Sequence, residues 1–190
     1  SAKDLCTINF IDKLIKAGID SFKIEGRKRS PEYVSTVTKA YREAIDSYFK
    51  NKLTADKKQQ LLDELKTVFN RGFSSGFYFE KPSSEDFAET RGSSATVKKE
   101  YIGKITNYYQ KIKVASLKVY SGKLELRDIV LIQGEKTGSI KVKINNLRFD
   151  DKKIQSAVKG QEVSFELNQK VREKDKVYLI KQNIFKSVII

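Results

Sequence analysis

Apolar residues recur three and four positions apart at Ile8, Ile11, Leu14 and Ile15, and Gly18 follows as the expected C-terminal cap, so the spacing predicts a short amphipathic helix over residues 8–17. Ser21-Phe22-Lys23-Ile24 then alternates apolar and polar positions, which predicts a strand, and Glu25-Gly26-Arg27 interrupts it with a glycine that permits a sharp turn. Ser30 is a good N-cap with Pro31 at the first helical position. From there Tyr33, Val34, Val37, Ala40, Tyr41, Ala44, Ile45 and Tyr48 mark one face of a helix running to about Lys50. After a break at 51–55, Leu61, Leu62, Leu65, Val68 and Phe69 form another helical stripe, which ends at Asn70-Arg71-Gly72. An aromatic, glycine-bearing loop is expected at 73–79. Helix, strand and helix in alternation belong to α/β folds, but one clear strand makes no sheet. This half therefore reads as the incomplete C-terminal βα portion of a larger TIM-like barrel or layered fold, and the chain as a fragment.

From Thr96 onward the pattern changes. Apolar residues alternate in short runs around 102–106, 112–119, 129–133, 139–147, 162–167 and 176–180, separated by glycines and charged turns. Six or seven short strands in this length fit a small antiparallel β-barrel, giving a mixed α/β and α+β chain overall. Leu126-Arg127-Asp128-Ile129-Val130 and Arg172-Glu173-Lys174-Asp175-Lys176-Val177 each place an acid at a turn just before a strand. Together with the glycine turn of Ala157-Val158-Lys159-Gly160-Gln161-Glu162-Val163, they resemble the second-domain barrel of translational GTPases such as elongation factor Tu, a likeness of fold rather than of activity.

The turn-forming stretches Pro82 to Asp86 and Arg91 to Ser94 suggest a boundary between Asp86 and Thr96, with domains of 1–90 and 91–190. Charge divides at the same place. Residues 1–90 hold 16 basic and 14 acidic side chains, and residues 91–190 hold 22 and 10. The chain of 190 residues carries +14 overall, which suggests a polyanionic partner. A single cysteine, Cys6, makes no internal disulfide. Without histidine, a Cys/His zinc site and a Ser-His-Asp triad are both excluded within this chain. No run is long and apolar enough for a membrane span and no secretory signal pattern is present, so a soluble, cytoplasmic protein without membrane contact is expected.

Five motifs carry a family resemblance: Lys-Asp-Leu-Cys at 3–6, Ser-Phe-Lys-Ile-Glu-Gly-Arg at 21–27, Ser-Pro-Glu-Tyr-Val at 30–34, Tyr-Arg-Glu-Ala-Ile-Asp at 41–46 and Asn-Arg-Gly-Phe-Ser-Ser-Gly-Phe at 70–77. In order and spacing they resemble the C-terminal third of the U32 peptidase, or collagenase-like protease, family, whose members carry a small β-barrel after the glycine-rich segment. The resemblance implies either peptidase activity or RNA modification, notably hydroxylation of a tRNA uridine. It also implies a cysteine-rich stretch upstream, associated in some members with an iron–sulfur cluster in the full-length protein. No cofactor is expected in this fragment, because Cys6 alone cannot hold a cluster that needs about four thiolates. A buried small side chain is the plainer role for Cys6, against an activated nucleophile with no histidine base.

Polar residues just after a barrel strand lie at the functional rim, so Lys23, Glu25, Arg27, Lys28 and Arg71 are candidates for a substrate-binding mouth open to anionic groups. Three of them have a structural alternative: Lys23 and Glu25 as an ion pair, Arg71 as the complement of a helix dipole. Phe73, Phe77, Tyr78 and Phe79 form either a stacking platform or a seal between domains. In the basic half, Lys98, Lys99, Lys104, Lys111, Lys113 and Lys118, with Tyr101, Tyr108 and Tyr109 beside them, are candidates for RNA contact, Tyr108 by stacking. The alternative is that the lysines protect strand edges while Tyr108 and Tyr109 pack over a barrel end. Catalytic residues are expected upstream. The partners expected are RNA, specifically tRNA, or a peptide substrate, and the missing N-terminal part of the same protein; docking onto an acidic protein surface is a third use for the same charges.

Overall fold

A computed structural model describes residues 2–88 and 92–182. The Arg91 end of the expected linker lies outside them. The chain divides into two units, one ending at Thr96 and the other beginning at Val97.

The first unit contains β1 (Asp4–Leu5), a 3-10 turn (Ile8–Phe10), α1 (Ile11–Lys16), α2 (Pro31–Phe49), α3 (Ala55–Lys66), β2 (Phe73–Ser74) and a second 3-10 turn (Ser84–Asp86). Its helices follow the sequence pattern. Ser30 caps α2 by accepting the Tyr33 N–H, Pro31 occupies the first turn, and Thr54 caps α3 by accepting the Lys57 N–H. Gly18 closes the first helical segment at φ +83°, donating its N–H to the Ile15 carbonyl. Ile8, Ile11, Val37, Ala40, Ala44, Leu61, Leu65 and Val68 make the core, with fully buried Ala40 and Ala44 one turn apart on α2.

The expected strand at 21–24 is not formed, since residues 19–26 take no regular secondary structure. A strand exists only through its ladder, and these residues find no ladder partner among the described ones. The parallel sheet of this unit is instead β1 beside β2, with Asp4 opposite Phe73 and Leu5 opposite Ser74. Two-residue strands fall below any periodicity test, which is why the pattern misses them.

The second unit is antiparallel throughout. Its strands are β3 (Val97–Tyr109), β4 (Val114–Val119), β5 (Lys123–Glu125), β6 (Ile129–Gly134), β7 (Gly138–Lys143), β8 (Arg148–Phe149), β9 (Lys152–Lys153), β10 (Ser156–Val158), β11 (Glu162–Glu166) and β12 (Lys176–Gln182). Eight form one sheet in the order β7-β6-β12-β3-β4-β11-β8-β9, and β5 pairs with β10. They share one core, which includes Ile102, Ile105, Leu117, Leu124, Ile132, Phe165 and Val177, while both residues of β9 are exposed. No ladder joins β7 to β9 among the described residues, so the pairing gives a large antiparallel sheet.

The two acid-bearing turns singled out in the sequence share one geometry. Asp128 accepts the N–H of Glu125 at 2.7 Å, and Asp175 accepts that of Arg172 at 2.8 Å. In each, the residue before the acid has positive φ: Arg127 at +76° and Lys174 at +69°. The glycine turn repeats the arrangement, with the Gln161 side chain accepting the Val158 N–H at 2.8 Å and Gly160 at φ +95°. In all three a side-chain acceptor three residues on adds to the backbone bond that closes the turn, from Asp128 to Glu125, Asp175 to Arg172 and Gln161 to Val158.

Gly103 sits where β3 passes between β4 and β12, opposite Val119 and Val177. A Cβ there would overlap the Lys118 carbonyl oxygen, a backbone atom that cannot step aside. Gly103→Ala is expected to destabilise the second unit by about 2 kcal/mol or more, read from the midpoint of urea denaturation.

Candidate functional site

In the first unit, Asp4 on β1 receives two cations. Arg71, in the turn before β2, donates its backbone N–H to Oδ2 at 2.9 Å, its Nε to Oδ1 at 3.1 Å and its Nη2 to Oδ1 at 2.6 Å. Arg29 approaches the same oxygen at 3.9 Å while its guanidinium lies over the rings of Phe69, at 4.3 Å, and Tyr33, at 5.2 Å. The turn that aims Arg71 is built by buried Asn70, whose amide donates to the Val68 carbonyl and accepts the Gly72 N–H, with Gly72 at φ +83°. Arg71 is thus held by a specific carboxylate rather than by a helix dipole alone.

A cavity of about 440 Å³ opens beside this cluster, lined on its polar side by Asp4, Lys23, Glu25, Arg29, Arg71 and Tyr78. Of the five predicted mouth residues it gathers three, Lys23, Glu25 and Arg71. Arg27 and Lys28 lie exposed in the adjacent turn, Lys28 at φ +59°. No Lys23–Glu25 ion pair forms among the described residues; Glu25 instead accepts the Arg27 N–H at 2.7 Å. Among the lining side chains three cations face two carboxylates, which leaves room for one anionic group. Asp4 and Arg29 escaped the sequence reading. Asp4 follows Lys3 and Arg29 follows Arg27 and Lys28, so neither stands out in its segment, and the closing of β1 onto β2 is what brings Asp4 to Arg71. Of the nearby aromatics, Tyr78 and Phe79 pack on Phe10 with ring centroids at 5.2 and 4.9 Å, and Phe77 is exposed.

Cys6 is half-buried beneath Tyr41, whose hydroxyl accepts the Thr7 N–H at 2.9 Å and points at Sγ from 3.8 Å. Burial pushes the thiol pKa up, opposite to what an activated nucleophile needs. Nor do the residues fit an iron–sulfur cluster, because Cys6 has no second thiolate and no group of three metal-ligating side chains occurs among the described residues.

On the second unit, cross-strand register assembles what the sequence scatters. Lys176 on β12 pairs directly with Lys104 on β3, and Lys104 with Lys118 on β4, so three ammonium groups stand in one row on the outer face. Glu162 on β11 follows opposite Lys118, but its carboxylate accepts the Thr106 hydroxyl at 2.7 Å, and none of the three lysines has an ion-pair partner among the described residues. In the next row Tyr178 pairs directly with Tyr101, their rings 5.8 Å apart and edge to face. A bulge at Val177/Tyr178 gives β3 one extra residue, which turns Ile102 inward and keeps Tyr101 and Lys104 on one face.

The remaining candidates for RNA contact disperse. Lys99 lies over the Tyr178 ring at 5.7 Å, and Lys98 stands 3.7 Å from Glu100, which Lys181 holds at 2.7 Å. Lys111 and Lys113 are exposed in the β3–β4 turn, at the opposite end of β3 from Lys98. Tyr108 donates its hydroxyl to the Leu167 carbonyl at 2.9 Å and packs on the core, a structural setting rather than an open stacking face. Lys176, Tyr120 and Tyr178 were missed because membership of a face depends on partner strands and on the bulge.

The sequence model of peptidase family U32 matches residues 1–88. A collagenase of Porphyromonas gingivalis is 41% identical over 178 residues, which is 94% of this chain and 43% of that protein. The chain belongs to peptidase family U32. An uncharacterized protease of Methanocaldococcus jannaschii is 39% identical over 186 residues, covering 97% of the U32 chain and 45% of its relative. The tRNA hydroxylation protein P2 of Bacillus subtilis is 42% identical over 84 residues, 43% of the chain and 27% of that protein. The chain therefore spans less than half the length of these relatives.

Tyr41 supplies a pH test of the first unit. Burial, and then the nearby Cys6 thiol, push its phenol from the ordinary value of 10.0 up to about 12. Between these values the unfolded chain loses the proton and the folded one keeps it, so the stability this group contributes is present below pH 10 and lost as pH rises towards 12. Thermal melts across that window should fall, and Tyr41→Phe should flatten the fall.

Proposed function

We propose that this chain is the substrate-holding C-terminal part of a U32 enzyme that modifies RNA, of the tRNA uridine hydroxylation type, with the second unit gripping the RNA backbone. The observation that carries this is the Lys176–Lys104–Lys118 row. Neighbouring strands lie about 4.8 Å apart, and like charges directly opposite one another destabilise a sheet. A protein that sets three lysines in such a row, none of them ion-paired among the described residues, has a surface that a phosphate chain stabilises, through direct neutralisation and release of counterions. The excess of 22 bases over 10 acids in residues 91–190 supports the same polyanion. In this proposal the second unit closes as a barrel like that of elongation factor Tu, and the first is completed by upstream residues into a TIM-like barrel. Any iron–sulfur cluster is held there, and the Asp4–Arg29–Arg71 cavity faces the substrate. The setting is the cytoplasm, in keeping with the absence of any long apolar helix able to cross a membrane among the described residues.

A second proposal, a collagenase-like peptidase, draws on the relatives named collagenase and protease, which match through both units. The basic row then serves as an exosite for acidic protein substrates. On the full-length enzyme the two separate: cleavage of gelatin slowed by charge removal in the row favours the peptidase.

For RNA, the triple substitution Lys104→Gln, Lys118→Gln and Lys176→Gln is the decisive test. Anisotropy titration with bulk tRNA at several salt concentrations should show at least tenfold weaker binding at low salt. The slope of log affinity against log salt should flatten by about 2, from roughly 0.7 to 0.9 per lysine. The same variant should melt at a higher temperature without RNA, because the repulsion is gone. Absence of tRNA binding by the unsubstituted chain at low salt overturns the proposal.

A further inference from the structure

Beside the lysine row stands a row of aromatic faces that the backbone grip does not use. Tyr101 is 38% exposed and Tyr120 47% exposed, large apolar faces for a sheet whose other side already holds the core. Tyr178 is half-buried between them and the Lys99 ammonium. Tyr120 follows β4 two residues after Lys118, and its N–H donates to the Ile102 carbonyl, which fixes it next to Tyr101. The Tyr101 phenol pKa is raised, first by partial burial and then by Tyr120 and Tyr178, as expected of three hydroxyls gathered in one place. None of the three hydroxyls meets a hydrogen-bond partner among the described residues, whereas Tyr108, the structural tyrosine of the same strand, is tied to Leu167. Aromatic rings that merely complete a fold are buried and bonded; these are open and ordered by the register.

We propose that the Tyr178–Tyr101–Tyr120 row is a stacking platform for unpaired bases of a single-stranded nucleic-acid segment whose phosphates run along Lys176–Lys104–Lys118. This rests on the RNA reading of the second unit and narrows it to the kind of RNA held. Bases inside a duplex already stack on one another and present only their edges, so a duplex meets the lysines and leaves the rings idle. A single strand meets both rows at once, with bases on the rings and phosphates on the ammonium groups, and the ring faces accept any base. The two adjacent rows thus match the two chemical faces of one extended strand.

The chain has nine tyrosines and no tryptophan, so its intrinsic emission reports tyrosine stacking directly. The probes are a 12-nucleotide oligouridine and a 12-base-pair RNA duplex, each titrated at moderate salt against the full chain. The single strand should bind about tenfold tighter than the duplex and quench tyrosine emission. Tyr101→Leu with Tyr120→Leu should weaken the single strand about tenfold without changing the salt slope, and Tyr101→Phe should retain binding. The far-ultraviolet circular dichroism of each variant checks that it folds, and the Phe variant keeps the test decisive should the Leu variant not fold. Equal affinity for both probes, or binding unaffected by loss of the rings, overturns the stacking platform and leaves the RNA reading standing. Binding of neither probe overturns both.

Discussion

Direct opposition of residues across β12, β3 and β4 is the constraint from which the basic face of the second unit follows. In an antiparallel ladder, paired side chains leave the sheet on the same side, so once Lys176 is opposite Lys104 and Lys104 opposite Lys118, the three charges cannot turn away from one another. The bulge at Val177/Tyr178 is the other half of the device. Without its extra residue the alternation along β3 would send Tyr101 and Lys104 to opposite faces. Gly103 beside it is the residue that lets the strands close at that point, since any side chain there would meet the Lys118 carbonyl.

The two units handle charge in opposite ways. In the first, ion pairs close the surface: Lys58 with Asp12 at 2.6 Å, Arg42 with Asp46 at 2.6 Å, Lys57 with Glu43, and Arg71 with Asp4 at 2.6 Å. Lys58 holds the Asp12 carboxyl below its usual range. In the second, the ion pairs among the described residues sit away from the row, at Lys123 with Glu125 and at Lys98 and Lys181 with Glu100. Pairs at the surface contribute little to stability, so the contrast concerns what each surface attracts more than how firmly each unit folds.

Local signals carried much of the fold. The caps at Ser30 and Thr54, the stripe of α2 and the paired acid turns at Asp128 and Asp175 are short-range, so the sequence displays them. What depends on distant partners stayed hidden. Ser21 to Ile24 has the alternation of a strand and lacks a ladder, while Asp4–Leu5 and Phe73–Ser74 form a ladder with no alternation to announce it. The same divide governs the sites. Lys104 and Lys118 were recognisable as cations near aromatics, but Lys176 and Tyr178 join them only through β12, and Asp4 meets Arg71 across 67 positions. Tyr108 had the right composition around it and the wrong side of the sheet beneath it.

That separation of 67 positions between Asp4 and Arg71 also orders events in time. Helices α1 to α3 gain their bonds within a few residues, whereas joining β1 to β2 requires the ends of the whole intervening chain to meet, an entropic cost met late. Parting of β1 from β2 would uncover both guanidinium groups together, so this seam couples local opening of the backbone to the appearance of free positive charge.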